Sequence, residues 1–142
     1  MNATLDGLTF VGDDAPATYT IKRDGGLTGW FDGVEVRHET VPRPNSDGDF
    51  DAPGYLGPRL ITLSGKILAA DAAGLEAAMK ALEDLLADGS KAEFAVTQAS
   101  GDVYTAQVRR HGAPEIEVEM PWTRARYRLQ LWAPDPAKVL VP

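Results

Sequence analysis

Residues 57–89, GPRLITLSGKILAADAAGLEAAMKALEDLLADG, carry the reading from which the fold follows. Within 59–69, Ile61, Leu63, Gly65 and Ile67 share one parity and Thr62, Ser64 and Lys66 the other. That period of two predicts a strand with one buried side. From Asp71 the period changes, and Leu75, Met79, Leu82 and Leu86 fall on one stripe of a helix. Asp71 suits the N-cap and Gly89 the stop, so a helix is expected over 71–88. Glu76, Lys80 and Asp84, four apart, keep its far face wet. One amphipathic helix must therefore cover one sheet.

On the N-terminal side, alternation around Leu8 and Phe10 and across 18–22 around Tyr19 and Ile21 predicts two short strands, parted by a break at 12–16. Arg23-Asp24-Gly25-Gly26 and Asp32-Gly33 are turn signals flanking a strand near 27–31. Val34, Val36 and His38 then share a face, and this first third reads as a meander of short antiparallel strands. On the C-terminal side, Phe94 and Val96 share a face in 92–98, and Tyr104, Ala106 and Val108 share one in 103–110, with Ser100-Gly101-Asp102 turning between them. After the break at 112–114, Glu115, Glu117 and Glu119 alternate with Ile116, Val118 and Met120, and Arg124, Arg126 and Arg128 alternate with Ala125, Tyr127, Leu129 and Leu131. A hairpin about Pro121-Trp122 sets Glu119 against Arg124, Glu117 against Arg126 and Glu115 against Arg128. Because Pro121 forbids a two-residue turn, a loop of at least four residues is expected. This ladder fixes register more than it holds the fold. It reads either as a solvated sheet face or as a subunit interface. The expected fold is α+β, a single domain over 1–142, mostly antiparallel β in a sandwich or split barrel, with the helix packed on a sheet.

Residues 41–58, VPRPNSDGDFDAPGYLGP, break the pattern. Four prolines, three glycines and three aspartates in this stretch leave no room for a ladder. Connections this long inside a domain are usually functional or disordered, and Phe50, Tyr55 and Leu56 argue against a plain solvated linker. The segment reads as an arm that orders against something else, with Arg43, Phe50, Tyr55, Leu56 and, on the hairpin, Trp122 as subunit-interface candidates. The alternative is an irregular surface loop.

Composition narrows the function. Fourteen basic against twenty-one acidic residues give a net charge of −7, unfavourable for a free-standing nucleic-acid binder. The absence of cysteine removes thiol chemistry and cysteine-based zinc sites. The first residues lack the basic and apolar regions of a secretory signal, and no apolar run approaches a membrane span, so membrane insertion is not expected. His38 and His111, the only histidines, sit in no metal-ligand spacing; they read as a half-buried strand residue and a turn residue. Ser46, Ser64, Ser90 and Ser100 lack a nucleophile-elbow context. Asp47-Gly48-Asp49-Phe50-Asp51 lacks the ligand order and terminal bidentate Glu of a calcium loop. GGLTG at 25–29 neither matches a phosphate-binding glycine motif nor opens a helix. No catalytic residue, metal site or cofactor is expected.

Gly57, Arg59, Leu60, Gly65 and Ile67 before a single helix with spaced leucines, and Ala133, Pro134, Asp135 and Pro136 ending a closing strand, form a pattern. Over roughly residues 5 to 139 it resembles the N-terminal domain of siphophage distal tail proteins, also described as phage minor tail proteins. The resemblance implies a structural virion protein: a ring, expected to be a homohexamer, at the tip of the tail tube. Such a ring joins the tube protein to the baseplate hub or tail-associated protein and to receptor-binding parts, with the tape measure protein as a further expected partner. DNA passes through its centre without specific binding, and assembly occurs in the host cytoplasm. Many such proteins carry a further galectin-like β-sandwich; ending at Pro142, this chain is expected to be either a minimal version or one lacking that part. Six copies would carry six times the −7 charge, which predicts an acidic or neutral lumen. The alternative reading is a small β-rich binding module for carbohydrate or peptide, with Trp30, Trp122 and Trp132 as an aromatic platform. An enzyme is the third class, for which no residue constellation calls.

Overall fold

The computed structural model of the chain describes residues 1–12 and 17–142, so most of the break expected at 12–16 lies outside the described residues. In chain order the elements are β1 (Asn2–Leu5), β2 (Leu8–Gly12), β3 (Tyr19–Ile21), β4 (Leu27–Thr28), β5 (Val36–Arg37), β6 (Tyr55–Leu56), β7 (Arg59–Leu68), α1 (Ala72–Asp84), β8 (Ala92–Thr97), β9 (Val103–Arg110), β10 (Glu115–Glu119), β11 (Arg124–Ala133) and β12 (Val139–Val141). The order β11, β7, β3, β2, β1, β8, β9 returns to β11 and closes a barrel.

Closure, where a sandwich or split barrel was expected, follows from strand length. β9 and β11 outrun their hairpin partners. The end of β11 pairs with the end of β9, Leu131 opposite Arg110 and Trp132 opposite Arg109. The rest of that edge of β11 takes β10, and the start of β9 takes β12. The inward positions Ile61, Leu63, Ile67, Leu129 and Leu131 are buried, as their alternation requires.

The first third is not an antiparallel meander. β1, which the sequence reading missed, folds onto β2 through Asp6-Gly7, both with positive φ (47° and 84°), the backbone a two-residue hairpin turn needs. With one edge of β2 taken, β3 lies parallel on the other, Phe10 opposite Tyr19. β3 then meets β7 at Tyr19 and Ile67. The crossing is possible because residue 65 is glycine: a Cβ there would stand 1.8 Å from the Thr20 carbonyl oxygen. The Tyr127 hydroxyl donates to that same oxygen at 2.7 Å, and the Tyr127 and Tyr19 rings pack on Phe10 at centroid separations of 5.8 and 5.4 Å. The strand expected at 27–31 is reduced to β4: Gly29, at a φ of 80°, takes the chain out of the β conformation, and Trp30 beyond it is fully buried.

The helix begins as predicted, Asp71 Oδ1 accepting from the Gly74 N–H at 2.7 Å, but it stops at Asp84 and not at 88. Past Asp84 the backbone leaves the helical path. Here Leu86 takes a φ of 52°, and Leu85 and Leu86 are both buried. Arg110 Nη1 donates to the carbonyls of Glu83 (2.7 Å) and Leu85 (3.3 Å), satisfying acceptors that the unwound end leaves open. Leu75, Ala78 and Leu82 form the buried face, and the Tyr19 hydroxyl donates to the Ala78 carbonyl at 2.7 Å.

Candidate assembly interface

Arg59 is 8% exposed, and its guanidinium donates to main-chain carbonyls from two distant segments: Gly29 (2.9 Å), Trp30 (3.0 Å) and Asp32 (2.7 Å) through Nη1, and Pro136 (3.2 Å) through Nε. Lys138 Nζ donates to the Trp30 carbonyl as well, at 3.0 Å, and lies 5.3 Å from the Trp30 ring centre and 5.7 Å from that of Phe31. Burial and the neighbouring Arg59 charge hold the Lys138 ammonium below the ordinary lysine range. This knot joins the residues that the sequence pattern singled out at opposite ends: Arg59 reaches Pro136, while Asp135 Oδ1 accepts from the Ala137 N–H at 3.0 Å and bends the chain there. Sequence reading did not find Trp30 or Lys138 as partners of this knot, because nothing in their local spacing marks a long-range contact.

From this root an arm leaves the barrel. A ladder does enter the proline-rich stretch, contrary to expectation: Val36 pairs with Leu56, Arg37 with Tyr55, and farther out Pro42 bridges to Asp49. The Gly57 N–H donates to Glu35 O at 2.9 Å, Phe50 N–H to Val41 O at 2.9 Å, and Arg43 N–H to Gly48 O at 3.1 Å. The prolines stand where no ladder bond from their nitrogen is needed. The arm therefore begins near Val34 and not at 41, and it takes in Val36 and His38, which were expected in the N-terminal sheet. His38 is exposed rather than half-buried, lying against Gly54.

Between 35 and 56 only Ala52 is even partly buried. Phe50 is 56% exposed, Tyr55 63% and Leu56 59%, with Val36 and Val41 exposed beside them. A lone two-stranded hairpin is marginally stable in water, and large apolar side chains exposed on it favour a contact that covers them. Arg43, Phe50, Tyr55 and Leu56 are thus gathered on one projecting element, Arg43 Nε donating to Asp49 O at 3.1 Å. A groove of about 550 Å³ runs beneath the root, between Val34–Val36 and Gly57–Leu60.

Trp122 lies elsewhere. It sits in the 120–123 loop joining β10 to β11, a loop of the four residues expected, with Met120 also exposed. The start of β11 pairs with Leu68, whereas the arm leaves beside Arg59. The ten-residue β7 separates them, about 30 Å at roughly 3.3 Å per residue. The register of the β10–β11 hairpin sets Glu115, Glu117 and Glu119 opposite Arg128, Arg126 and Arg124. The ion pair formed is diagonal, Arg126 Nε to Glu119 Oε1 at 2.5 Å. Trp30 is fully buried, so the three tryptophans make no shared platform; Trp132 is partly exposed beside Leu60. His111 follows β9 as a turn residue, and among the described residues no three His, Asp or Glu side chains come together as a metal site.

No family model matches the sequence, and no curated protein matches it. The crystal structure of SPP1 Dit (gp 19.1), described as a paradigm of the hub adsorption apparatus in phages infecting Gram-positive bacteria, has a similar fold: TM-score 0.58 at 14% identity over 79% of this chain. The match covers 44% of the Dit chain, so this protein spans less than half the length of that relative in fold.

Proposed function

We propose that the chain is a structural protein of a phage tail tip, a building block that acts by shape and contact and performs no reaction. The observation that carries this is the exposed apolar hairpin, rooted through Arg59 on a closed barrel whose fold is that of SPP1 Dit. Copies of the chain form a ring, expected to have six members, in which each arm lies on its neighbour with Phe50, Tyr55 and Leu56 as anchors. The ring sits in the virion between the tail tube and the hub or tail-associated protein, close to the tape measure protein, and DNA passes through its lumen without specific contacts.

The arm contributes no buried large side chain to the barrel, so deleting residues 44–56 should leave a folded monomer and abolish ring formation. Mass photometry and negative-stain imaging of the two proteins, alone and mixed with tail-tube protein, provide the test. A ring with a central hole that forms equally well without the arm would refute the role given to it.

A further inference from the structure

We propose that the tip of the arm docks in a basic groove on the outer face of β3, β7 and β11 of a second copy of this chain, which deepens and rests on the ring reading. The tip presents Asp47, Asp49 and Asp51 with the exposed Phe50 ring between the last two. Among the described residues none of these carboxylates has a cationic partner within ion-pair distance.

The complementary surface lies on the barrel of the same chain. A groove of about 500 Å³ is lined by Lys22, Lys66 and Arg126, with Thr20, Ser64 and Gly65 between them. Lys66 stands directly opposite Arg126 in the β7–β11 register. Like charges directly opposed across a sheet are destabilising, and Arg126 turns its Nε to Glu119, away from that repulsion. Lys22 and Lys66 have no carboxylate partner among the described residues. Arg126 is already answered by Glu119, so the uncompensated charge on this face is that of the two exposed ammonium groups of Lys22 and Lys66.

Within one copy the two surfaces do not meet. The arm tip is exposed throughout, and its described hydrogen bonds stay inside the arm. Two different patches on one chain, each answering the other's charge, make a head-to-tail contact, the kind that closes rings. The carboxylates would answer the Lys22 and Lys66 ammonium groups, and Phe50 would be covered as they seat.

Because the chain has no cysteine, the contact can be read by disulfide formation between separate molecules. An Asp49→Cys chain is mixed with a Lys66→Cys chain under mild oxidation, and with a Lys80→Cys chain, altered on the exposed helix surface, as the comparison. The mixed dimer with Lys66→Cys is expected to form several-fold faster, and the advantage to fall as salt is raised, since exposed charges are screened. Charge reversal adds a second reading: Lys66→Glu weakens assembly, Asp49→Lys weakens it, and mixing the two variants restores it. Equal disulfide yields with Lys66→Cys and Lys80→Cys overturn the docking, and if the unaltered chain still forms rings, the ring reading survives alone. A Lys66→Cys advantage without closed rings leaves the docking standing and sinks the ring. Equal yields together with retention of duplex DNA that Lys66→Glu abolishes would reject the arm and give this face to a polyanion.

Discussion

Arg59 and Pro136, separated by 77 positions in the chain, are joined by a single donated hydrogen bond of 3.2 Å, and the same guanidinium holds three carbonyls of the segment before the arm. One side chain thus fixes the end of β11 and the root of the arm at once. Its hydrogen-bond partners are carbonyls, so the charge is stabilised by dipoles aimed at it.

Removing this donor set leaves several acceptors without partners. Arg59→Met should lower stability by about 2–4 kcal/mol, and Arg59→Lys should recover only part of it, because an ammonium cannot reproduce a planar fork. Urea denaturation gives the loss. Limited proteolysis near residues 33–35 should accelerate in both variants.

Gly65 tests the strand crossing. Gly65→Ala places a methyl group against the Thr20 carbonyl, and the backbone must shift to admit it. The expected loss exceeds about 2 kcal/mol, with a matching fall in the thermal midpoint. At Gly33 a Cβ meets nothing within 4 Å, so Gly33→Ala should stay within about 0.5 kcal/mol.

Two tyrosines link stability to alkaline pH. Burial, and secondarily the charge of Tyr19, raises the Tyr127 hydroxyl far above its ordinary value of 10.0; burial also raises Tyr19. For an acid whose folded pKa is raised, the stabilisation is complete below the unfolded value and is lost as pH climbs above it, since only the unfolded chain then releases its proton readily. Unfolding free energy should therefore fall above about pH 10, and the fall should be shallower in Tyr127→Phe. The half-buried Lys138, depressed in the fold, acts in the opposite sense just below the ordinary lysine range. Denaturant titrations across pH 8–11.5 separate the two contributions.

The Glu–Arg ladder should prove weak. The Arg126–Glu119 pair is exposed on its arginine side, and such pairs contribute about 0.2–1 kcal/mol. Arg126→Ala and Glu119→Gln should each change stability by no more than about 1 kcal/mol, measured in a double-mutant cycle. A coupling of several kcal/mol would contradict the solvated placement seen here.

The period of two in β7 and β11, the hairpin register of β10 with β11 and the Asp71 cap were all readable from the chain, because each depends on neighbours in sequence or on one turn. β1 was missed, although Asp6-Gly7 marks its turn, because alternation in so short a segment is faint. The point at which the helix stops was not legible either. Leu82, Leu85 and Leu86 stand at the i, i+3, i+4 spacing that a continued helix would bury as well, so the turn out of the helix at Leu86 leaves no mark in the periodicity.

By itself the sequence determined the faces of the longer elements: which side chains go inward on β7, β8, β11 and the helix, where the β8–β9 and β10–β11 turns fall, and that residues 41–58 stand apart from the sheet. Only the tertiary structure decided how those faces close. The β9–β11 pairing, the parallel seating of β3 against β2 and the knot of Arg59 with residues 29–32 and 136 join segments far apart in the chain. Periodicity records the environment of a residue but not the identity of its partner, and a partner is chosen by the free edges and space left once the nearer pairs have formed.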